Sequence, residues 1–230
     1  MAGGLTQRQQ DIIHEGEQLL HEARYDPHFA ETMRGRGYDE ASWAHGQVLL
    51  EAVKATGRAF EQAQSAKLGA TNTVKQRRDQ MWTHSSTLSQ SCVALFQGQT
   101  DYLNALGLHG GRKDSTEVSR ISKPKKQGKV EHVLSWQRNL FEVAQNHTGI
   151  APVLAANGFP AEILAQGAAA VEVLVRAEHE QEQAKANVSQ RRIERDAAYK
   201  VFRTWLRCTQ RIAHLAKQER TGGGILWGGS

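Results

Sequence analysis

Proline is scarce in this sequence, with four in 230 residues, and large rings are few, Phe, Trp and Tyr together making 7%. So few prolines leave long stretches of Gln, Glu, Ala, Arg and Leu unbroken, which excludes a many-turned β fold and favours helix. The core must then be built from Ala, Leu and Val. Only two cysteines occur. They cannot staple a chain of this length and read as reduced thiols of a reducing compartment. No apolar run approaches the roughly 18 residues of a membrane span. The opening MAGGLTQRQQ lacks the charged and then apolar order of a signal peptide, so the expected location is the cytoplasm. A Gly-x-Ser-x-Gly elbow, a phosphate-cradling glycine loop and a Cys-x-x-Cys pair are all missing. On these grounds no catalytic residue, cofactor or metal is assigned.

What is present begins with charge. The formal net charge is +5, and between Leu106 and Val130 stand Arg112, Lys113, Arg120, Lys123, Lys125, Lys126 and Lys129, opposed only by Asp114 and Glu117. This stretch carries the whole excess. With Gly107, Gly110, Gly111, Pro124 and Gly128 it reads as a solvated basic linker over 107–129. An electrostatic grip on a polyanion such as nucleic acid, through Lys123, Lys125, Lys126 and Lys129, is the sharper alternative. No aromatic residue is interleaved with these cations, so a stacking platform for single strands is not expected.

The chain also resembles itself. A shift of 121 residues places Ile12-Ile13 on Val133-Leu134, Leu19-Leu20 on Leu140-Phe141, Gly37-Tyr38 on Gly158-Phe159 and Gly46 on Gly167. Beyond about position 63 the shift falls to 117, setting Arg78-Asp79 on Arg195-Asp196 and Trp82 on Tyr199. The first copy thus carries four extra residues near 68–72. The expected organisation is a helical repeat over 1–106, the linker, a second helical repeat over 130–220, and a glycine-rich tail over 221–230.

Each repeat reads as helical. Ile12, Ile13, Gly16, Leu19, Leu20 and Ala23 recur at three- and four-residue spacing. Asp26-Pro27 opens a short helix as N-cap and first-turn residue, and Gly35 and Gly37 mark its end. Asp39 can cap a long helix through Trp43, Leu49, Val53 and Phe60. From Pro160 to about Gln218 only Gly167 interrupts, and the middle, Glu178 to Asp196, is almost wholly polar. Two topologies suit that pattern. An antiparallel hairpin with its tip at Asn187-Val188-Ser189, and in the first repeat near Gly69–Thr73, is favoured because the apolar flanks would cover each other. One continuous helix is the alternative, since four inserted residues are just over one turn. The fold class is therefore all-α, with two tandem repeats of long antiparallel hairpins forming helical bundles.

The string Gly37-Tyr38-Asp39-Glu40 with Gly46, Leu49, Leu50 and Glu51, its echo Gly158-Phe159-Pro160-Ala161 with Gly167, and Leu106-Gly107-Leu108 closing a repeat resemble uncharacterised bacterial all-helical tandem-repeat proteins. The resemblance implies a fold and no activity.

Several constellations have a bland reading beside a sharp one. His14, Glu17 and His21 have a spacing that could ligate a metal, yet lie opposite Ile12, Leu19 and Ala23 and read as a solvated face. Cys92 and Cys208 read as buried free thiols. Gly46 and Gly167, inside long helices, point to close helix–helix approach. Trp43, Trp82, Trp136 and Trp205 read as core or interface fillers. Ile225, Leu226 and Trp227, held between glycines, read either as a plain tail or as a docking peptide for a partner's groove. The expected function is a non-catalytic scaffold or interaction module, working through a protein partner or self-assembly and without a membrane. Polyanion binding comes second, and a metal- or small-molecule-binding bundle third.

Overall fold

A computed structural model describes residues 5–108, 123–126 and 128–221. The described elements are all helices: α1 (Gln7–Tyr25), α2 (Pro27–Arg34), α3 (Glu40–Leu95), α4 (Thr100–Ala105), α5 (Val130–Asn146), α6 (Ala151–Ala156) and α7 (Ala161–Thr221). Local signals set their ends as chemistry requires. Asp26 Oδ1 accepts from the amides of His28 and Phe29, each at 3.0 Å, at the start of α2. Asp39 Oδ1 accepts from the Ser42 amide at 2.9 Å at the start of α3. After α2 and α6 the chain reverses at Gly37 (φ 85°) and Gly158 (φ 89°), a region open to glycine. In both turns the next amide reaches back five residues, Tyr38 to the Met33 carbonyl at 3.1 Å and Phe159 to that of Leu154 at 2.9 Å.

The long segments are single helices, and the hairpin expectation fails. Both proposed tips, Asn187-Val188-Ser189 and Gly69–Thr73, lie inside unbroken helix of 61 and 56 residues. The reason is a seven-residue seam that continues through the polar stretch. In α3 Val53, Phe60, Val74, Met81 and Leu88 are buried at multiples of seven, with Lys67 exposed at the step between, and in α7 so are Leu174, Gln181, Arg195, Phe202, Thr209 and Ala216, with Val188 half-buried. The polar members of the seam are satisfied. Gln181 Nε2 donates to Thr71 Oγ1 at 3.1 Å. The Arg195 guanidinium lies 4.2 Å over the Phe60 ring and donates to Asp196.

Two compact units result, one of residues 1–67 with 184–230 and one of residues 68–183. Each unit draws on both halves of the sequence, so the bundles are not the sequence segments 1–106 and 130–220. In the first unit Ile13, Leu19, Phe29, Met33, Leu50 and Val53 pack with Phe202, Leu206, Ala213 and Ala216 of α7. In the second, Met81, Leu88, Cys92 and Phe96 from α3 and its end pack with Trp136, Leu140 and Phe141 of α5 and Leu164, Val171 and Leu174 of α7. Within each unit α3 and α7 run antiparallel, as Tyr38 with Thr209 and Phe60 with Arg195 show in the first.

The cysteines part company. Cys92 is buried, and burial pushes its thiol up to about 12, whereas Cys208 is exposed, contrary to the sequence expectation. A raised pKa keeps Cys92 protonated at every pH below that value. Alkylation of the native protein at pH 8 should therefore modify Cys208 alone, and both thiols after denaturation, as mass spectrometry would show; native labelling of Cys92 would contradict its burial.

Candidate functional site

Two apolar grooves lie between the long helices, one in each unit. The groove of the first unit, 550 Å³, is lined by His45 and Leu49 of α3 and by Ala197, Lys200, Val201, Thr204 and Trp205 of α7. The groove of the second unit, 270 Å³, is lined by His84, Thr87 and Leu88 of α3, Phe141 of α5, Phe159, and α7 residues including Ile163, Gln166, Gly167 and Ala170. The offsets of 121 and 117 pair five positions of these linings: His45 with Gln166, Leu49 with Ala170, Val201 with His84, Thr204 with Thr87, and Trp205 with Leu88. Both grooves therefore use corresponding places on helices whose roles are exchanged.

Each groove rests on a glycine closed by a ring. A Cβ on Gly46 would strike the Trp205 ring, and one on Gly167 would strike the Phe141 ring. The close approach expected at these glycines is thus between a helix backbone and an aromatic side chain. The ring comes from a different helix in each unit. Where the first unit has Leu20 and Trp205, the second has Phe141 and Leu88, so large and small exchange places while the space stays filled. A deeper layer shows the same exchange in polar form. Phe202 packs its ring against Gly16 in the first unit; the corresponding residues of the second are Ser85 and Gln137, buried together, with Gln137 Nε2 donating to Ser85 Oγ at 2.9 Å. Gln137 Oε1 and the neighbouring Trp136 Nε1 are buried without a hydrogen-bond partner.

The residues singled out from the sequence are placed differently. His14 Nδ1 stands 3.6 Å from Glu17 Oε2, and both, like His21, have further partners. Glu17 meets Lys54 at 2.8 Å, and that hydrogen bond holds its carboxyl below the usual range. His14 Nε2 is 2.9 Å from the Gln18 amide, and the His21 ring lies 4.5 Å from that of Tyr25. Among the described residues no three His, Cys, Asp or Glu side chains converge as a metal site would require. Lys123 donates to Ser89 Oγ at 2.8 Å and lies 5.6 Å over the Trp136 ring, and burial pulls its ammonium below the ordinary lysine value. Lys126 pairs with Asp79 at 2.9 Å, which depresses that carboxyl through the hydrogen bond. Arg78 secures the same segment, donating to the carbonyls of Lys126 at 3.0 Å and Gly128 at 2.8 Å. Lys125 contributes its carbonyl to a turn with the Gly128 amide, and Lys129 precedes α5. Arg112, Lys113 and Arg120 of the linker lie outside the described residues, as do Ile225, Leu226 and Trp227.

Among the described residues no helix is long and apolar enough to cross a membrane. The fold and its grooves define the chain as an all-α protein of long paired helices. No protein-family model matches it, and no curated protein and no solved structure is significantly similar to it.

Sequence reasoning missed the grooves. Their lining is spread over two helices far apart in the chain, and the one available signal was that Ile163 and Val201 are apolar at positions the packed seam does not use.

Proposed function

We propose that this chain is an internally duplicated cytoplasmic scaffold without catalysis, which binds protein partners in the two grooves along its long helices. The carrying observation is the pair of offset-related grooves with large apolar side chains left in water beside them. Val201 is 52% exposed, Ile163 48% and Val48 65%, each on a long helix. An amphipathic partner helix would cover such a groove with residues at i, i+3 or i+4 and i+7. Two corresponding grooves suit a partner carrying two such helices, for which the second contact becomes intramolecular. The polyanion reading has less support, because Lys123 and Lys126 already engage Ser89 and Asp79.

Val201→Lys and Ile163→Lys test this reading. Both positions are exposed, so thermal stability should move by no more than about 0.5 kcal/mol. Each variant should bind a captured partner about thirtyfold more weakly, the loss of one anchor worth about 2 kcal/mol. Unchanged affinity in both variants would exclude the grooves as the binding surface.

A further inference from the structure

In the second unit the chain that follows a long helix folds back and is seated. After α3 it turns at Gly98 (φ 84°), forms α4 and delivers Leu103, Leu106 and Leu108 to the core. Its seat is the side of α5 and the turn beyond: Asn139 Nδ2 donates to the Ala105 carbonyl at 2.9 Å, and the Tyr102 ring stands edge-on to His147 at 5.2 Å. Val143, between these positions on α5, packs on the same core.

The 121-residue offset carries Asn139, Val143 and His147 to Gln18, Glu22 and Asp26. In the first unit these three line an open groove of 530 Å³, whose other walls are α1 residues, among them His21 and Tyr25. No described residue outside α1 and Asp26 lines it. Tyr25 is 63% exposed, its ring tilted by 41° against that of His21 at 4.5 Å, with the Arg24 guanidinium 5.4 Å over the Tyr25 ring. The seat is present, and α7 provides a way to it. Lys217 Nζ meets Glu22 Oε1 of this groove at 2.7 Å and lies 5.3 Å over the Phe29 ring. Four helical residues lead on to Thr221, a rise of about 6 Å. Gly222, Gly223 and Gly224 add a reach of about 10 Å if extended. The next residues are Ile225, Leu226 and Trp227.

We propose that Ile225-Leu226-Trp227 docks within its own chain, onto the α1 groove of the first unit, as the segment after α3 does in the second. The inference takes its receiving face from the internal duplication proposed above, whereas α7 runs on as helix to Thr221 where α3 has ended at Leu95; it is independent of what occupies the two grooves between α3 and α7. The exposed Tyr25 and His21 rings offer the Trp227 indole an apolar partner, and the stems of Gln18 and Glu22 offer one to the aliphatic pair. A tether of three glycines holds the ligand at millimolar effective concentration, so a weak contact is filled in cis before another molecule competes.

A disulfide-trapping experiment on the full chain tests this. In a Cys208→Ser background, Gly228→Cys is combined with Gln18→Cys in the groove or with Glu61→Cys, an exposed position elsewhere in the first unit. Under mild oxidation at micromolar protein, the Gln18→Cys pair should close as a monomeric disulfide about tenfold faster than the Glu61→Cys pair. Adding Trp227→Ala should remove the difference. Equal rates for the two pairs, or a product that is mainly a covalent dimer, would overturn the intramolecular seat, the dimer indicating a second copy as the receiver. Partner binding by the Val201→Lys and Ile163→Lys variants is read separately, so either proposal can fail alone.

Discussion

Phe202→Ala is expected to loosen α1, near the opposite end of the sequence, and to leave α5 protected. Phe202 is fully buried in α7, with its ring against Gly16 of α1. Gly16 has no side chain with which to fill the space, so truncation leaves a cavity bounded by a helix backbone. A buried Phe→Ala change costs about 3–5 kcal/mol. Amide hydrogen exchange should rise through α1 and α2 and change little in α5 and α6. The reciprocal change, Leu88→Ala in α3, should cost about 2–5 kcal/mol and expose α5 instead, since Leu88 belongs to the core of the second unit. Were Phe202→Ala to deprotect α5 and spare α1, each repeat would be packing on itself, and the composition of the two units would be wrong.

Gly46→Ala should destabilise the protein although alanine is the better helix former. Relieving an interior helical glycine contributes about 1 kcal/mol. Against this, the new Cβ meets the Trp205 ring, a rigid group at the floor of a packed groove, and overpacking of that kind costs about 1–3 kcal/mol. The sign should reverse in a Trp205→Leu background, where only the propensity gain remains. Gly69→Ala is the control: the same helix, with nothing within 4 Å of the added carbon, and a gain of about 0.5–1 kcal/mol expected. Thermal midpoints of the four variants form a double-mutant cycle with an internal standard. Equal stabilisation by Gly46→Ala and Gly69→Ala would show that no ring closes over Gly46.

Much of the element order could be read from the sequence because it depends on short-range chemistry. Asp26, Pro27, Gly37 and Asp39 act over a few residues, and the structure uses each as that chemistry suggests. The helicity of both halves was equally plain. The continuity of α3 and α7 was not. A search for amphipathic faces weighs apolar residues, and between Glu178 and Asp196 the seam is kept by Gln181 and Arg195, whose burial depends on Thr71 and Phe60 in the other half of the chain. The seven-residue series Leu174, Gln181, Val188, Arg195 and Phe202, which mixes polar and apolar residues, was the overlooked signal. The four-residue offset between the halves is a register shift within a continuous helix, just over one turn. The candidate sites fared unevenly for a similar reason. Lys123 and Lys126 look free in sequence because Ser89 and Asp79 are far away along the chain. The grooves needed both long helices at once.

The sharing of each core between the two halves of the chain has a consequence in time. Synthesis delivers α1, α2 and the start of α3 long before the residues they pack on: Glu15 waits for Gln210, 195 positions later, and Tyr38 waits for Thr209, 171 positions later. The second unit closes over shorter intervals, 110 residues for Thr71 with Gln181 and 52 for Ser85 with Gln137. Pairings of greater sequence separation form more slowly. On the ribosome the middle of the chain is therefore ready to fold first, while the amino-terminal helices remain exposed as half of an unfinished core until the last turns of α7 emerge.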